Sequence, residues 1–373
     1  MQQFQLNTQI HLFRKSILQV LGLVVLILSM YGCHGSKQLT STEIEKKAIA
    51  LADPTIFPYN GSYYLYGTAG DNRSNAGFPS FYSRDLKHWY SVDFHKSAVD
   101  APNNMALEKG SSFGSKGFWA PQVIAFQNRL LMAYTANEQI AFAYSNNGPE
   151  GKFKQKPPFS HLFGTAFKHI DPFIFKDGDQ YYLYYVKLNQ GNKIYVSKLT
   201  FKKVPGRKIK NKMSGPEQLG PVQQETEQLC IEATEPWENT AHTDWPVTEG
   251  PTVIKHKGVY YLFYSANDFR NPDYAVGYAT ATSPMGPWKK STQCPVLSRQ
   301  QTGLNGTGHG DVFKDKNKQF YYVFHAHKSN AVVGPRQTWL IPFKFVPAKN
   351  SRGTGSLPDL IEMDYGAVHQ LKH

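Results

Sequence analysis

One short sequence pattern occurs five times along this chain, and it constrains the fold more than any other feature. Each copy has a head residue, an apolar run, a tight polar turn and a second run rich in tyrosine and phenylalanine. Alternating apolar residues on both sides of such a turn predict a β-hairpin. The copies span residues 53–66, 119–134, 171–185, 249–264 and 309–324.

The spacing of these copies predicts one blade of a β-propeller for each copy. Successive copies begin about 50 to 80 residues apart, which is room for four short antiparallel strands and their loops. A linear β-solenoid is the alternative architecture, but its repeats would be shorter and more even. We therefore expect an all-β fold, a five-bladed β-propeller over residues 48–373, with the C-terminal tail helping to close the ring.

The first 47 residues are expected to lie outside the propeller. Two basic residues precede an apolar run at 16–30, which is typical of a secretion signal and short for a membrane-spanning helix. The small residue before Cys33 resembles a bacterial lipoprotein signal, which implies cleavage there and a lipid on the cysteine sulfur. A plain signal peptide is the alternative. We predict a lipoprotein signal at 1–32, a polar tether at 33–47 and anchoring to the bacterial outer membrane.

The positive charge of the chain is concentrated in one segment. The formal net charge is +13, and seven basic residues with no acid among them fall within 198–212. A groove for nucleic acid would interleave aromatic side chains with the basic ones, and only Phe201 does so here. We therefore expect a solvated charged hairpin on the third blade and no nucleic-acid partner.

Cysteine and histidine spacings do not predict a metal site. Cys230 and Cys294 remain after signal cleavage and could pair in an oxidising compartment, but neither has the spacing of metal ligands. His325 and His327 alternate on one strand and share a face, with nothing beside them in the sequence that suggests a zinc triad.

The head residues of the repeat form the candidate active site. If each innermost strand begins near the propeller axis, the heads converge on one funnel, although the first and last are 256 residues apart. A single such acid would merely cap a turn, but three acids at a ring of heads suit glycosidic bond hydrolysis. One carboxylic acid protonates the leaving oxygen, an opposed carboxylate deprotonates water, and a third raises the pKa of the acid. The heads are Asp53, Trp119, Asp171, Glu249 and His309.

Five motifs in this order resemble glycoside hydrolase family 43, the five-bladed arabinofuranosidases, xylosidases and arabinanases. The resemblance covers residues 50–345 and implies inversion of the anomeric configuration without a required cofactor. It implies that Asp53 is the general base, Glu249 the general acid and Asp171 the residue that tunes that acid. The motifs are Ala52-Asp53-Pro54, Trp119-Ala120-Pro121, Ile170-Asp171-Pro172, Thr248-Glu249-Gly250-Pro251 and Gly308-His309-Gly310-Asp311.

Three further residues receive binding roles from the same reasoning. Trp119 would offer a face for a sugar ring, and a core position between blades is its alternative. His309 resembles an axial histidine that sits beside a calcium ion in some members, so a structural Ca²⁺ near the axis is one expectation and a purely hydrogen-bonding histidine the other. Arg336 resembles an arginine that contacts the sugar, with a surface ion pair as its alternative.

These residues predict an enzyme that acts on an arabinose- or xylose-containing glycan. We expect a monomeric α-L-arabinofuranosidase, with β-D-xylosidase or exo-galactanase activity as the alternatives in the same family. A surface glycan-binding propeller without catalysis is the alternative from another class, and the presence of all three acids argues against it. A retaining fructan-type hydrolase has a similar fold, but the Thr-Glu-Gly-Pro and Gly-His-Gly-Asp settings favour the inverting family.

Overall fold

The computed structural model describes one compact unit that begins at Lys46. The predicted signal peptide, Cys33 and nearly all of the predicted tether lie outside the described residues, and for the described residues within 201–218 only the backbone is described. No helix in the described ranges is both long enough and apolar enough to cross a membrane. Those ranges are 46–70, 73–94, 103–203, 208–209, 212–213, 217–348 and 357–373.

Within the described residues, five antiparallel sheets of three to five strands follow one another, each corresponding to one sequence copy, and a separate two-stranded hairpin belongs to the third blade. Blade 1 contains β1 (Leu51–Tyr59), β2 (Ser62–Ala69), β3 (Gly77–Ser83) and β4 (Trp89–Ser91), with β5 (Met105–Glu108) beside β3. Blade 2 contains β6 (Trp119–Phe126), β7 (Arg129–Ala136) and β8 (Gln139–Ser145). Blade 3 contains β9 (His169–Asp177), β10 (Gln180–Leu188) and β11 (Asn192–Lys203), then a hairpin of β12 (Lys208–Ile209) and β13 (Lys212–Met213), and β14 (Glu217–Ile231).

The last two blades have the same strand order. Blade 4 contains β15 (Thr248–His256), β16 (Val259–Ala266), β17 (Ala275–Ala281) and β18 (Lys289–Lys290), followed by the short helix α1 (Arg299–Thr302). Blade 5 contains β19 (Gly308–Lys314), β20 (Phe320–Ala326), β21 (Gln337–Val346) and β22 (Leu360–Met363), with β23 (His369–Gln370) beside β21. Short 3-10 turns lie at Arg73–Asn75, Gly148–Glu150, Pro236–Glu238 and Tyr365–Ala367.

The innermost strands close into a ring, which confirms the predicted five-bladed propeller. Strands β1, β6, β9, β15 and β19 contact one another in this cyclic order, and β19 contacts β1. The ring is joined by the two ends of the described unit. Lys47 and His373 exchange backbone hydrogen bonds of 3.0 and 2.9 Å, and the Thr338 N–H donates to the Ile49 carbonyl at 3.0 Å.

The aromatic repeat fills the spaces between neighbouring blades. The buried apolar side chains in the described ranges form five clusters, each contributed by two adjacent blades. Tyrosine suits these positions because its ring is buried while its hydroxyl reaches a polar partner. Tyr134 donates to the Phe113 carbonyl at 2.8 Å, and Tyr264 donates to Glu238 Oε1 at 2.6 Å.

Each innermost strand has a β-bulge near its start, and the five head residues, which were predicted to occupy equivalent positions, do not all occupy the same position in the bulge. Each bulge contains one residue with a left-handed φ: Asp53 (49°), Ala120 (44°), Asp171 (55°), Gly250 (61°) and His309 (40°). Trp119 and Glu249 therefore precede the bulge position, and treating all five heads as equivalent was wrong for these two. In blade 4 the bulge requires glycine, because a Cβ at Gly250 would lie 2.8 Å from the His309 ring.

The basic segment and the two cysteines lie away from the propeller axis. Strand β11 and the hairpin of β12 and β13 contain the described part of 198–212, so the predicted hairpin is confirmed for the backbone. Cys230 and Cys294 are both free thiols, so the pairing that the sequence left open is not formed. Burial raises the pKa of the Cys294 thiol to about 12, so it is protonated at neutral pH.

We expect Gly310→Ala to destabilise the fold by about 3 kcal/mol, because overpacking a rigid site forces backbone shifts. An added Cβ at Gly310 would lie 1.7 Å from the Val323 carbonyl oxygen of β20. Denaturant unfolding measures the change. Gly164→Ala is the matched control, since its added Cβ meets no atom within 4 Å. Equal unfolding midpoints for the two variants would contradict this account of the β19 bulge.

Candidate active site

A cavity of about 450 Å³ lies at the axis where the innermost strands begin. It brings together all the site residues that the sequence predicted within the propeller. The remaining predicted residue, Cys33, lies outside the described residues. The cavity is lined by the predicted Asp53, Trp119, Asp171, Glu249, His309 and Arg336.

Asp53 is buried and held by hydrogen bonds on both carboxylate oxygens. Arg336 Nη1 donates to Oδ1 at 3.1 Å, and Thr68 Oγ1 donates to Oδ2 at 2.6 Å. Burial alone would raise the pKa of Asp53, but the positive charge of Arg336 and the hydrogen bonds on the carboxylate oxygens oppose it. Together they hold that pKa well below its usual range, so Asp53 is a carboxylate at neutral pH.

Glu249 lies in the wall of the same cavity with neutral donors on its two oxygens. The Tyr274 hydroxyl donates to Oε1 at 2.8 Å, and Asn192 Nδ2 donates to Oε2 at 3.1 Å. Burial raises the pKa of Glu249 to about 7; the Tyr274 bond opposes the rise and the Asp53 charge adds to it. A substantial protonated fraction is therefore present near neutral pH.

Asp171 lines the same cavity as Glu249 and is buried, with 5% of its surface exposed. Its Oδ2 accepts a 3.3 Å hydrogen bond from the N–H of Gly250, the residue that follows Glu249. Burial is the first cause of a pKa well above its usual range, and the negative charges of Glu249 and Asp53 add to it. Asp171 therefore competes with Glu249 for a proton through direct charge repulsion.

Two histidines flank Asp53, and burial keeps both neutral. His309 Nδ1 lies 3.4 Å from Asp53 Oδ1 and 3.8 Å from Asp171 Oδ2, and burial lowers the pKa of His309. His325 is fully buried, and its Nδ1 accepts the Asp53 N–H at 3.1 Å. Burial and the Arg336 charge lower the pKa of His325 to about 3.

The surroundings of His309 do not match the ligand set of a calcium ion. Calcium takes about six to eight oxygen ligands, whereas the axis below the carboxylates narrows to about 20 Å³, room for about one water. Across the described ranges, no group of three or more His, Cys, Asp or Glu side chains could hold a metal ion. The chemistry of glycosyl hydrolases of family 43 requires no cofactor.

Arg336 and Trp119 both line the cavity. Arg336 does not form a surface ion pair, and Trp119 does not lie in the core between blades. The Arg336 guanidinium stacks on Phe269 at 4.3 Å and pairs with Asp53, so it is not a surface ion pair. Trp119 is half-buried and lines the cavity. Its ring packs near Gly117, where a Cβ would lie 3.0 Å from it.

Several residues that contact the site were missed by the sequence reasoning. Thr68 and His325 occupy the same position near the end of the second strand of their blades, five residues after the first aromatic residue of that strand. An alignment of the five repeats could have shown this shared position. The others lie outside the repeat, at the start of β11 for Asn192 and in loops for the rest, where no periodic signal exists. They are Asn192, Trp245, Phe269 and Tyr274.

The fold and the site together define a class of protein. A five-bladed propeller with one axial carboxyl held ionised and another partly protonated at neutral pH has the arrangement of a carboxylate-dependent glycoside hydrolase. The family model described as glycosyl hydrolases family 43 matches residues 47–348, and the chain belongs to this family of hydrolases.

The names of individual relatives refer to different substrates. An endo-1,4-beta-xylanase of known structure from Bacteroides thetaiotaomicron VPI-5482 is 35% identical with a TM-score of 0.69, covering 88% of this chain and 98% of that one. A beta-D-galactofuranosidase from Aspergillus niger is 24% identical over 75% of this chain and 74% of its own length. The xylosidase/arabinosidase 43B of Humicola insolens is 23% identical over 73% of this chain, which spans only 46% of that relative.

We expect Arg336→Met to move the acidic limb of the kcat/KM profile to higher pH. Without the guanidinium, burial is less opposed and the pKa of Asp53 rises, so its carboxylate form is lost at a less acidic pH. The pH dependence of hydrolysis measures this shift. Arg299→Met is the matched control, because Arg299 pairs with Asp273 outside the cavity lining. An unmoved acidic limb in Arg336→Met would contradict the assigned electrostatics.

Proposed function

We propose that this protein hydrolyses the glycosidic bonds of pentosyl residues in plant-type glycans with inversion of configuration. The observation that carries the proposal is the opposite protonation of two carboxyl groups in one cavity. The pKa of Asp53 is held well below its usual range, whereas burial raises that of Glu249 to about 7. An inverting hydrolase needs this combination of a base and an acid before the substrate binds.

In the proposed reaction, Asp53 and Glu249 transfer protons at opposite sides of the scissile bond. Glu249 gives its proton to the leaving oxygen as the glycosidic bond breaks. Asp53 takes a proton from a water molecule, whose oxygen forms the new bond to the anomeric carbon. Asp171 holds the backbone beside Glu249 and repels its carboxylate form. Exchange with solvent then returns one proton to Glu249 and removes one from Asp53.

An α-L-arabinofuranoside is the proposed substrate, and a β-D-xyloside is the second candidate. The cavity of about 450 Å³ offers Trp119 as a stacking surface and Arg336 as a donor near Asp53. The names of the relatives favour this range of sugars, since they include xylanase and xylosidase/arabinosidase activities. The named galactofuranosidase relative makes β-D-galactofuranosides a further test compound, together with the β-D-galactosides of an exo-galactanase.

We also propose that the enzyme is a monomer anchored to the outer membrane through lipid on Cys33. The support is the sequence alone: a basic residue pair, an apolar run and a small residue before the cysteine. We expect Cys33→Ser to move the protein from the detergent-extracted membrane fraction to the soluble periplasmic or secreted fraction. Equal membrane retention of the variant and the parent protein would contradict the anchor.

Asp53→Asn and Glu249→Gln are each expected to reduce kcat by about 10²- to 10⁴-fold, the usual contribution of general acid–base catalysis. The reason is that neither amide can exchange the required proton. Initial rates on aryl α-L-arabinofuranosides, β-D-xylosides and β-D-galactosides measure the loss, and NMR identifies the anomer formed first.

Asp177→Asn is the control for these carboxyl substitutions. Asp177 pairs with Lys255 at a partly exposed position outside the cavity lining, so parental rates are expected. The thermal unfolding transitions of all three variants should lie close to that of the parent protein. Near-parental turnover by Asp53→Asn or Glu249→Gln, or retention of anomeric configuration, would overturn the proposed mechanism. Polysaccharide binding without any hydrolysis would favour the non-catalytic alternative.

A further inference from the structure

Asn192 forms a hydrogen-bonded bridge between Glu249 and the mouth of the cavity. Its Nδ2 donates to Glu249 Oε2 at 3.1 Å, and its Oδ1 accepts from the Trp245 indole N–H at 3.0 Å. Trp245 is 48% exposed, so this chain of contacts connects the candidate acid to solvent-facing surface. Both Asn192 and Trp245 line the cavity.

The chemistry of the indole fixes the orientation of the amide. An indole N–H can only donate, so the Asn192 oxygen must face Trp245 and its NH₂ group must face Glu249. The reverse orientation would oppose two donors at Trp245 and leave the indole N–H without an acceptor. Trp245 therefore determines which end of the amide is presented to Glu249, without touching Glu249 itself.

The backbone around this bridge is also fixed. The Asn192 N–H donates to the Pro246 carbonyl at 2.9 Å, and Thr248 Oγ1 donates to the Asn192 carbonyl at 3.0 Å. Gly191 lies against the same segment, where a Cβ would be 2.7 Å from the Pro246 oxygen. The segment that carries Trp245 is thus tied to the start of β11 by main-chain and side-chain bonds.

The two donors on Glu249 differ in what they allow. The Tyr274 hydroxyl can reverse its role and accept a proton from Oε1. The oriented Asn192 amide cannot accept, so it disfavours a proton on Oε2. We propose that Asn192, oriented by Trp245, is a positioning residue that places the acidic proton of Glu249 on Oε1 and limits how readily Glu249 is protonated.

Other groups also face Glu249 and set the background for this effect. The charged or titratable neighbours in the cavity are Asp53, Asp171, Tyr274, His309 and Arg336, with Asp268 and Arg270 also in the lining. None of them is altered when Asn192 or Trp245 is substituted. A change in the pKa of Glu249 in such variants therefore reports on the amide bridge. The inference deepens the proposed function, because it assumes that Glu249 is the acid.

We expect Asn192→Ala to raise the pKa of Glu249 by about one pH unit, since a hydrogen bond to the carboxylate form is lost. Trp245→Phe should raise the pKa of Glu249 by less, because the Asn192 amide remains and can still donate to Glu249. Without the indole N–H, however, the amide can also turn its oxygen toward Glu249, which favours the protonated form. ¹³C NMR titration of the glutamate carboxyl groups measures the pKa, with Glu249→Gln identifying the resonance. This measurement does not depend on turnover.

Kinetics give a second readout that a merely structural role would not reproduce. The pH dependence of kcat/KM is measured with whichever 4-nitrophenyl glycoside the parent protein hydrolyses. Its alkaline limb should move to higher pH in both variants, while the acidic limb, which Asp53 sets, stays in place. Asn271→Ala is the matched control, because the Asn271 amide bonds Thr240 and lies outside the cavity lining. An unchanged Glu249 pKa in Asn192→Ala, or in Trp245→Phe if the first variant does not fold, would overturn the inference. Parental turnover by Glu249→Gln would instead contradict the proposed function.

Discussion

The site depends on where the backbone N–H groups of the five bulge residues find their acceptors. A left-handed residue in a bulge turns its N–H out of its own strand pair, so another group must accept the bond. In four blades that acceptor is a side chain near the end of the preceding blade's second strand. These contacts are Thr68 to Ala120, Thr135 to Asp171, Ser265 to His309 and His325 to Asp53. In these four cases the preceding blade therefore positions the bulge residue of the next one, and ring closure is required to position Asp53.

The fifth bulge residue, Gly250, is the exception in this ring, and its acceptor explains the position of Asp171. The corresponding residue of β10 is Val186, which has no polar side-chain atom. The Gly250 N–H bonds instead to Asp171 Oδ2 at 3.3 Å. A carboxyl group thus fills the structural role that hydroxyls and an imidazole fill elsewhere, and this places it against the backbone of the residue that follows Glu249. From this position Asp171 is subject to the negative charge of Glu249, which adds to the effect of burial in raising the pKa of Asp171.

The sequence predicted the ring and the identity of the axial acids because both are encoded in a local pattern. Alternating apolar residues and polar turns repeat at every blade, three of the five heads are acids, and tertiary packing does not alter this pattern. The bulge register was not predictable in this way, because Ala120 and Gly250 have nothing in common with Asp53 except a left-handed φ. The loop contacts of Glu249 were also missed. Asn192 and Tyr274 are 57 and 25 residues from Glu249 in sequence, and only the folded chain brings them together.

The difference between the two candidate catalytic carboxyls comes from the placement of positive charge rather than from burial. Burial raises the pKa of both Asp53 and Glu249. Asp53 also receives a direct bond from the Arg336 guanidinium, which stacks on Phe269, whereas Glu249 receives bonds from a phenol and an amide. The neutrality of His309 preserves this difference. A protonated imidazole between Asp53 and Asp171 would add a second positive charge to the cavity and favour ionisation of Glu249 as well. Burial of that histidine therefore helps Glu249 to retain a proton while Asp53 remains a carboxylate.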